Sequence, residues 1–131
     1  MRVSVKKQLA SFRFAFSGIS YLLKTQPNAW IQCSIAVMAI IGGVMFRIEI
    51  WEWLLIIVCI GMVLSLEAIN TSIERLADTL HPGKHEGIGT AKDVAAGAVL
   101  IASAASLVIG LIIFLPRLVD LLGFLLTHPA N

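Results

Sequence analysis

The chain has 131 residues, of which 58% are hydrophobic and 14% are charged, and its formal net charge is +2. Soluble domains carry about one-quarter charged residues, so this composition excludes an ordinary soluble domain. It indicates a single membrane domain over residues 1–131. The small net charge and the lack of a long basic run argue against nucleic acid as a partner.

Residues 1–26 predict an amphipathic helix that lies on the membrane surface. Cationic side chains alternate there with large apolar ones, as in helices that lie in the plane of an anionic membrane. The cations are Arg2, Lys6, Lys7, Arg13 and Lys24. Pro27 then suits the first turn of a second helix, with Thr25 as a possible cap.

Three membrane-spanning helices are predicted at residues 29–46, 50–78 and 93–116. The first is uncharged, and it tolerates Gln32 as a polar residue. The second has only 14 consecutive apolar residues (53–66), too few to span the bilayer alone, so it must continue through the polar residues that follow. A loop rich in glycine precedes the third helix, and the tail at 117–131 predicts a short interfacial helix or a frayed end.

The distribution of lysine and arginine predicts the orientation. Five cations precede the first span, three lie between the second and third (Arg75, Lys84 and Lys92), and the opposite side holds only Arg47 and Arg117. The positive-inside rule therefore places the N-terminus and the 79–92 loop in the cytoplasm, in a multi-pass protein of the bacterial inner membrane.

A polar stripe continues the second predicted span. Glu67, Asn70, Glu74 and Asp78 fall within roughly 80° of one another on a helix. Polar residues at membrane depth are costly and indicate function. Three uses suit the carboxylates: general-base work on a hydroxyl, coordination of Mg²⁺, and a proton or cation relay.

The loop after the stripe favours phosphate chemistry among these uses. Its glycines expose backbone N–H groups that can bind anions, and Lys92 is predicted at the start of the third span, where the helix dipole also favours anions. Two alternatives stay open from the residues alone, namely a small oligomeric transporter or proton path and a structural subunit.

Two segments carry a resemblance to a known family. Residues 67–74 (EAINTSIE) and 91–99 (AKDVAAGAV), at this separation, resemble the prokaryotic diacylglycerol kinase family, which includes undecaprenol kinases. The resemblance covers about residues 9–115. It implies a homotrimeric, all-α membrane lipid kinase with an amphipathic surface helix and three transmembrane helices. Such an enzyme transfers phosphate from ATP, with Mg²⁺, to the primary hydroxyl of diacylglycerol or undecaprenol.

The resemblance also implies roles for individual residues. Glu67 would be the catalytic base and Glu74 a metal ligand. The other implied positions contact nucleotide (Lys7, Phe14, Gly83, Lys84, His85, Lys92 and Asp93) or orient the lipid substrate (Asn70, Arg13, Gly18 and Ala96).

One position departs from the family pattern. The family usually has a glutamate that ligates metal just before the first span, and here Gln26 stands in its place. A glutamine carbonyl can still ligate Mg²⁺, but it brings no charge. Metal binding is then expected to depend more on Glu74 and on the ATP phosphates.

Overall fold

A computed structural model describes residues 5–83 and 85–127, with side chains from Gln8 onward. It contains four helices: α1 (Val5–Thr25), α2 (Pro27–Met45), α3 (Ile50–Leu80) and α4 (Glu86–Thr127). The last three are long and apolar enough to cross a membrane. The chain is therefore an all-α membrane protein, and the number of spans agrees with the sequence prediction.

The junction between α1 and α2 is a sharp break. Pro27 occupies the first turn of α2, where its missing N–H costs no hydrogen bond. Thr25 is not the cap: its hydroxyl donates to Tyr21 O at 2.9 Å, and Gln26 takes the N-cap position without a side-chain capping bond. The Trp30 indole N–H donates to Leu23 O at 2.6 Å and ties the two helices together.

A tight turn joins α2 to α3. Arg47 adopts the left-handed conformation, with φ of 49°, and reverses the chain. A capping box then starts α3, because the Glu49 side chain accepts from the backbone of Glu52 and the Glu52 side chain accepts from the Glu49 N–H at 2.8 Å.

Two adjacent glycines let the three spans approach one another near this turn. A methyl group at Gly43 would lie 2.8 Å from the Trp53 ring of α3, and one at Gly42 would lie 3.2 Å from the Phe114 ring of α4. Small residues allow such close helix contacts in lipid, where packing replaces the hydrophobic effect as the driving force. The buried cluster of Ile48, Ile56 and Ile113 lies in the same region.

Two ion pairs join α3 to α4. Arg117 forms a two-pronged pair with Glu52, at 3.0 and 2.8 Å, and Lys92 pairs with Asp78 at 2.9 Å. The N-terminal end of α3 is thus paired with the C-terminal part of α4, and the C-terminal end of α3 with the N-terminal part of α4. The two helices are therefore antiparallel. The two pairs are about 39 Å apart along α3 at 1.5 Å per residue, which exceeds the roughly 30 Å of hydrocarbon.

The fourth helix begins earlier than the sequence predicted. It starts at Glu86, so Gly87 and Gly89 belong to its first turn and not to a glycine loop. Gly89 N donates to His85 O at 2.9 Å, and the acidic Glu86 suits the positive end of the helix dipole. The prediction that Lys92 opens this helix is therefore wrong, and the segment between α3 and α4 is residues 81–85.

The fourth helix also ends later than the sequence predicted. The proposed tail from Arg117 continues α4 to Thr127, and residues 128–131 lie outside the described part. Pro116 lacks the N–H of a helical residue, yet the helix passes through it. Arg117 donates to Ile113 O as well as to Glu52, which holds this turn in place. Helical backbone is also strongly favoured in lipid, where unpaired peptide groups are costly.

The Glu52 and Arg117 pair gives a prediction for stability. Glu52 is 4% exposed, so Arg117→Met leaves a buried carboxylate without its partner. We expect the free energy of unfolding to fall by about 3 kcal/mol, measured by thermal unfolding in detergent micelles. Adding Glu52→Gln, which keeps an acceptor for the capping box, is expected to recover most of the loss.

The matched control for that experiment is Asp120→Asn, because Asp120 is exposed one turn further along α4. An Arg117→Met protein as stable as this control would contradict a stabilising role for the ion pair.

Candidate active site

Glu67 is the most deeply buried acidic residue in the described part of the chain. Its side chain on α3 is 2% exposed. Gln32 of α2 donates from Nε2 to Glu67 Oε2 at 3.0 Å. A buried carboxylate needs at least one such donor, because desolvation without hydrogen bonds is costly. The predicted catalytic residue is therefore held between two spans by a neutral amide.

A second amide and carboxylate pair lies one to two turns away on α3. Asn70 is 8% exposed and donates from Nδ2 to Glu74 Oε1 at 3.3 Å. The spacing of four residues places these side chains on the same face of the helix. Glu74 itself is half-buried. The structure thus brings the predicted orienting residue into contact with the predicted metal ligand.

Three buried oxygens in this region have no hydrogen-bond donor. They are Gln32 Oε1, Asn70 Oδ1 and Thr71 Oγ1. Buried polar atoms are normally paired, and exceptions point to function or to a partner. All three lie within a turn of Glu67 or in contact with it. The region therefore has spare hydrogen-bonding capacity for a molecule that carries donors.

An apolar groove of about 570 Å³ lies between α1 and α3 beside Thr71. Gly18 lines it from α1, and Thr71 and Arg75 line it from α3. The Arg75 guanidinium lies over the Tyr21 ring, 5.4 Å from its centre, and helps to hold α1 against α3. Gly18, a predicted substrate residue, thus faces the same segment of α3 that carries the stripe.

A second cleft, of about 390 Å³, forms where α3 and α4 meet the 81–85 loop. Gly83, His85 and Lys92 line it, together with Asp78 and Glu86. Three of the predicted nucleotide-binding residues are thereby brought together. Asp78, whose role the sequence left unexplained, holds the Lys92 ammonium at 2.9 Å.

The remaining predicted site residues lie at the surface or outside the described part of the chain. Arg13, Phe14, Asp93 and Ala96 are exposed, with Phe14 at 69%. Lys84 and the side chain of Lys7 lie outside the described residues.

The described carboxylates limit how Mg²⁺ could bind. No group of three or more His, Cys, Asp or Glu side chains that could hold a metal occurs within residues 5–83 and 85–127. Mg²⁺ commonly binds through one or two carboxylates while substrate phosphates and water complete its shell. A single half-buried carboxylate at Glu74 fits that mode, and it does not fit a metal held by protein alone. Gln26 caps α2, and its backbone N–H donates to Leu22 O at 2.9 Å.

Gln32 is the site residue that sequence reasoning missed. The sequence alone indicates only a tolerable polar residue inside an uncharged span. A signal was present, because an amide at membrane depth needs a partner. The partner lies 35 positions away in the sequence, and only the packing of α2 on α3 identifies it.

Comparison with known proteins identifies the family of this chain. The family model for prokaryotic diacylglycerol kinase matches residues 13–114. An undecaprenol kinase of Bacillus subtilis is 37% identical over 117 residues, which cover 89% of this chain and 95% of that protein. A diacylglycerol kinase of a Synechocystis species is 36% identical over 115 residues, covering 87% of this chain and 66% of that protein. The chain therefore belongs to the prokaryotic diacylglycerol kinase family, a family of lipid kinases.

Proposed function

We propose that this protein transfers the γ-phosphoryl group of ATP to the primary hydroxyl of a membrane lipid, either diacylglycerol or undecaprenol, with Glu67 as general base. The observation that carries the proposal is the burial of Glu67 at membrane depth, with Oε2 held by Gln32. Among the described residues no donor reaches the second oxygen, Oε1. That oxygen is free to accept a proton from a lipid hydroxyl.

The lipid hydroxyl, ATP and Glu67 account for every bond and proton in the proposed transfer. The lipid oxygen attacks the γ-phosphorus as its proton passes to Glu67, and the bond from that phosphorus to the bridging oxygen breaks to release ADP. General-base catalysis of this kind contributes typically 10²–10⁴-fold to the rate. The rest of the acceleration comes from positioning and from stabilising charge on the phosphate oxygens.

The nucleotide is assigned to the cleft at the end of α3 and α4. Lys92 supplies a positive charge there, with Gly83 and His85 in the adjoining loop. Lys84, Lys7, Phe14 and Asp93 stay candidates for the same role from the family resemblance. Mg²⁺, bound with ATP, would supply charge neutralisation, and Glu74 would hold it with Gln26 as a weaker second ligand. Glu74 lies about 10 Å along α3 from Glu67.

The groove between α1 and α3 is assigned to the lipid. Its walls are largely apolar, and Gly18 and Thr71 bring it to the level of the stripe. Asn70, Arg13 and Ala96 are retained as orienting residues. The two relatives act on different lipids according to their names, and their identities of 37% and 36% do not favour one lipid over the other.

We further propose a homotrimer in the bacterial inner membrane, with α1 lying on the cytoplasmic surface. The cation distribution supports this orientation, because residues 1–25 and 75–92 carry eight of the ten lysines and arginines. Within one chain Glu74 is only half-buried, and a neighbouring copy would shield this carboxylate from lipid. The transporter alternative has no observation in its favour beyond the carboxylates that the kinase also uses.

The first prediction here concerns the base. Purified protein in detergent micelles with Mg²⁺ and ATP radiolabelled at the γ-phosphate is expected to label diacylglycerol, undecaprenol or both. Glu67→Gln is expected to lower this rate by about 10²–10⁴-fold while the elution volume and thermal midpoint stay unchanged. Asp120→Asn, a carboxylate-to-amide change outside the proposed site, serves as the control. Turnover by Glu67→Gln at the rate of the control would eliminate Glu67 as the base.

The second prediction concerns the nucleotide cleft. Lys92→Met removes the cation and is expected to raise the KM for ATP at least about tenfold, since hydrogen bonds to charged groups contribute about 1.5–3 kcal/mol. Asp78→Asn is expected to change KM by less than about fivefold, because an exposed ion pair contributes at most about 1 kcal/mol. Initial rates at varied ATP measure both. An unchanged KM in Lys92→Met would remove the nucleotide from this cleft.

The third prediction concerns Gln26. If its carbonyl is a weak ligand, Gln26→Glu adds a negative charge to the metal shell and lowers the Mg²⁺ concentration for half-maximal rate. The titration is made at saturating ATP, with Gln8→Glu on exposed α1 as a control for added surface charge. Identical titration curves for wild type and Gln26→Glu would remove Gln26 from the metal shell.

A further inference from the structure

Gln32 donates a hydrogen bond to Glu67, the proposed base, although Gln32 is not part of the polar stripe. The stripe is confined to α3, whereas Gln32 belongs to α2 and reaches across to Glu67. Ser34, two residues further along α2, is bonded within its own helix, because its Oγ donates to Trp30 O at 2.8 Å. Gln32 is therefore the polar link between α2 and the proposed base.

The chemistry of the pair defines which atom of Gln32 faces Glu67. An ionised carboxylate only accepts hydrogen bonds, so the amide nitrogen must point to it. Gln32 Oε1 is then turned away into a buried space where it has no donor. The glutamate thus orients the glutamine side chain and leaves the glutamine oxygen unpaired. An unpaired buried oxygen is unfavourable for stability, so the contact points to a functional role.

The contact also restricts Glu67. A glutamate side chain has three rotatable bonds, and an unrestrained carboxylate would sample several positions. Catalytic groups must be held within about 0.5 Å of the productive geometry. Because Gln32 binds Oε2 from a second rigid helix, Oε1 is presented in one direction.

A neutral donor suits a proton acceptor better than a cation would. Lysine or arginine at this position would form a salt bridge with the carboxylate and compensate its charge. The amide donates one hydrogen bond and leaves the negative charge on Glu67 uncompensated. The described residues place Arg75 over Tyr21 and Lys92 on Asp78, so neither of these cations is paired with Glu67.

We infer that Gln32 is a positioning residue for the general base, holding Glu67 Oε2 across the interface of α2 and α3 so that Oε1 receives the proton of the lipid hydroxyl. This inference rests on the proposed function. Gln32 makes no contact with ATP in this role. Removing its amide is therefore expected to lower kcat and to leave the KM for ATP nearly unaltered.

The test compares Gln32→Leu, which keeps the size and removes the amide, with Gln32→Glu, which places an acceptor where the donor was. Gln32→Leu is expected to lower kcat about ten- to hundredfold, the range for losing a hydrogen bond to a charged group, with the KM for ATP within about twofold. Gln32→Glu is expected to lower kcat further, because two carboxylates would then face each other. Ser34→Ala, on the same helix and bonded only within it, is the matched control.

A double-mutant cycle separates positioning from a general structural effect. In Glu67→Asp the carboxylate is withdrawn by one methylene and Gln32 no longer reaches it. Adding Gln32→Leu to that variant is therefore expected to lower kcat less than about twofold. An equal loss in both backgrounds, a loss seen only in KM, or wild-type kcat in Gln32→Leu would each overturn the inference.

Two further outcomes keep the result interpretable. If Gln32→Leu fails to fold, Gln32→Asn replaces it in the test. This variant keeps the amide but shortens the side chain by one methylene. A wild-type kcat in Gln32→Asn overturns the inference. A wild-type protein that phosphorylates neither lipid overturns the proposed function itself. Activity in the wild type, loss in Glu67→Gln and no change in Gln32→Leu overturn only the role of Gln32.

Discussion

The antiparallel register of α3 against α4 is the constraint on which the rest of the structure depends. Ion pairs hold it at both ends, with Glu52 and Arg117 at one and Asp78 and Lys92 at the other. A slip of one residue would turn the charged side chains about 100° apart on the helix and break both pairs. The register also sets which part of α4 faces the stripe, so it positions the cleft at the 81–85 loop relative to Glu67.

The two ion pairs differ in what they contribute. The pair at Arg117 is nearly buried and two-pronged, and it also stabilises the helix around Pro116, so its loss leaves a buried charge. The pair at Lys92 is largely exposed to solvent and contributes little to stability. One end of the hairpin is therefore built for rigidity. The other end leaves a lysine that can exchange its aspartate for another anion at small cost, which suits a site that binds phosphate.

Between these ends, the stripe on α3 is organised as two pairs of an amide with a carboxylate. Gln32 holds Glu67 and Asn70 holds Glu74. Each amide donates a hydrogen bond to its carboxylate and adds no positive charge. Thr71, one turn beyond Glu67, lines the groove under α1, and the cleft at the 81–85 loop lies beyond Glu74. A lipid and a nucleotide can thus approach the same face of α3 from different directions.

Much of this protein was determined by the sequence alone. Hydropathy and length predicted three spans, because a bilayer requires long apolar helices with satisfied backbone groups. Helical periodicity predicted the stripe at Glu67, Asn70 and Glu74, and the resemblance of two segments predicted the family. These features depend on local pattern, which a sequence displays directly.

The tertiary structure decided what depends on contacts between distant residues. Local propensity predicts a loop at Gly87 and Gly89 and an end to the span before Arg117, yet α4 runs from Glu86 to Thr127. At its start, Glu86 suits the positive end of the helix dipole. Around Pro116, unpaired peptide groups would be costly in lipid, and Arg117 bonds Glu52 across 65 positions of sequence. The partner of Glu67 was likewise decided by packing, because only the approach of α2 to α3 brings the Gln32 amide within 3.0 Å of that carboxylate.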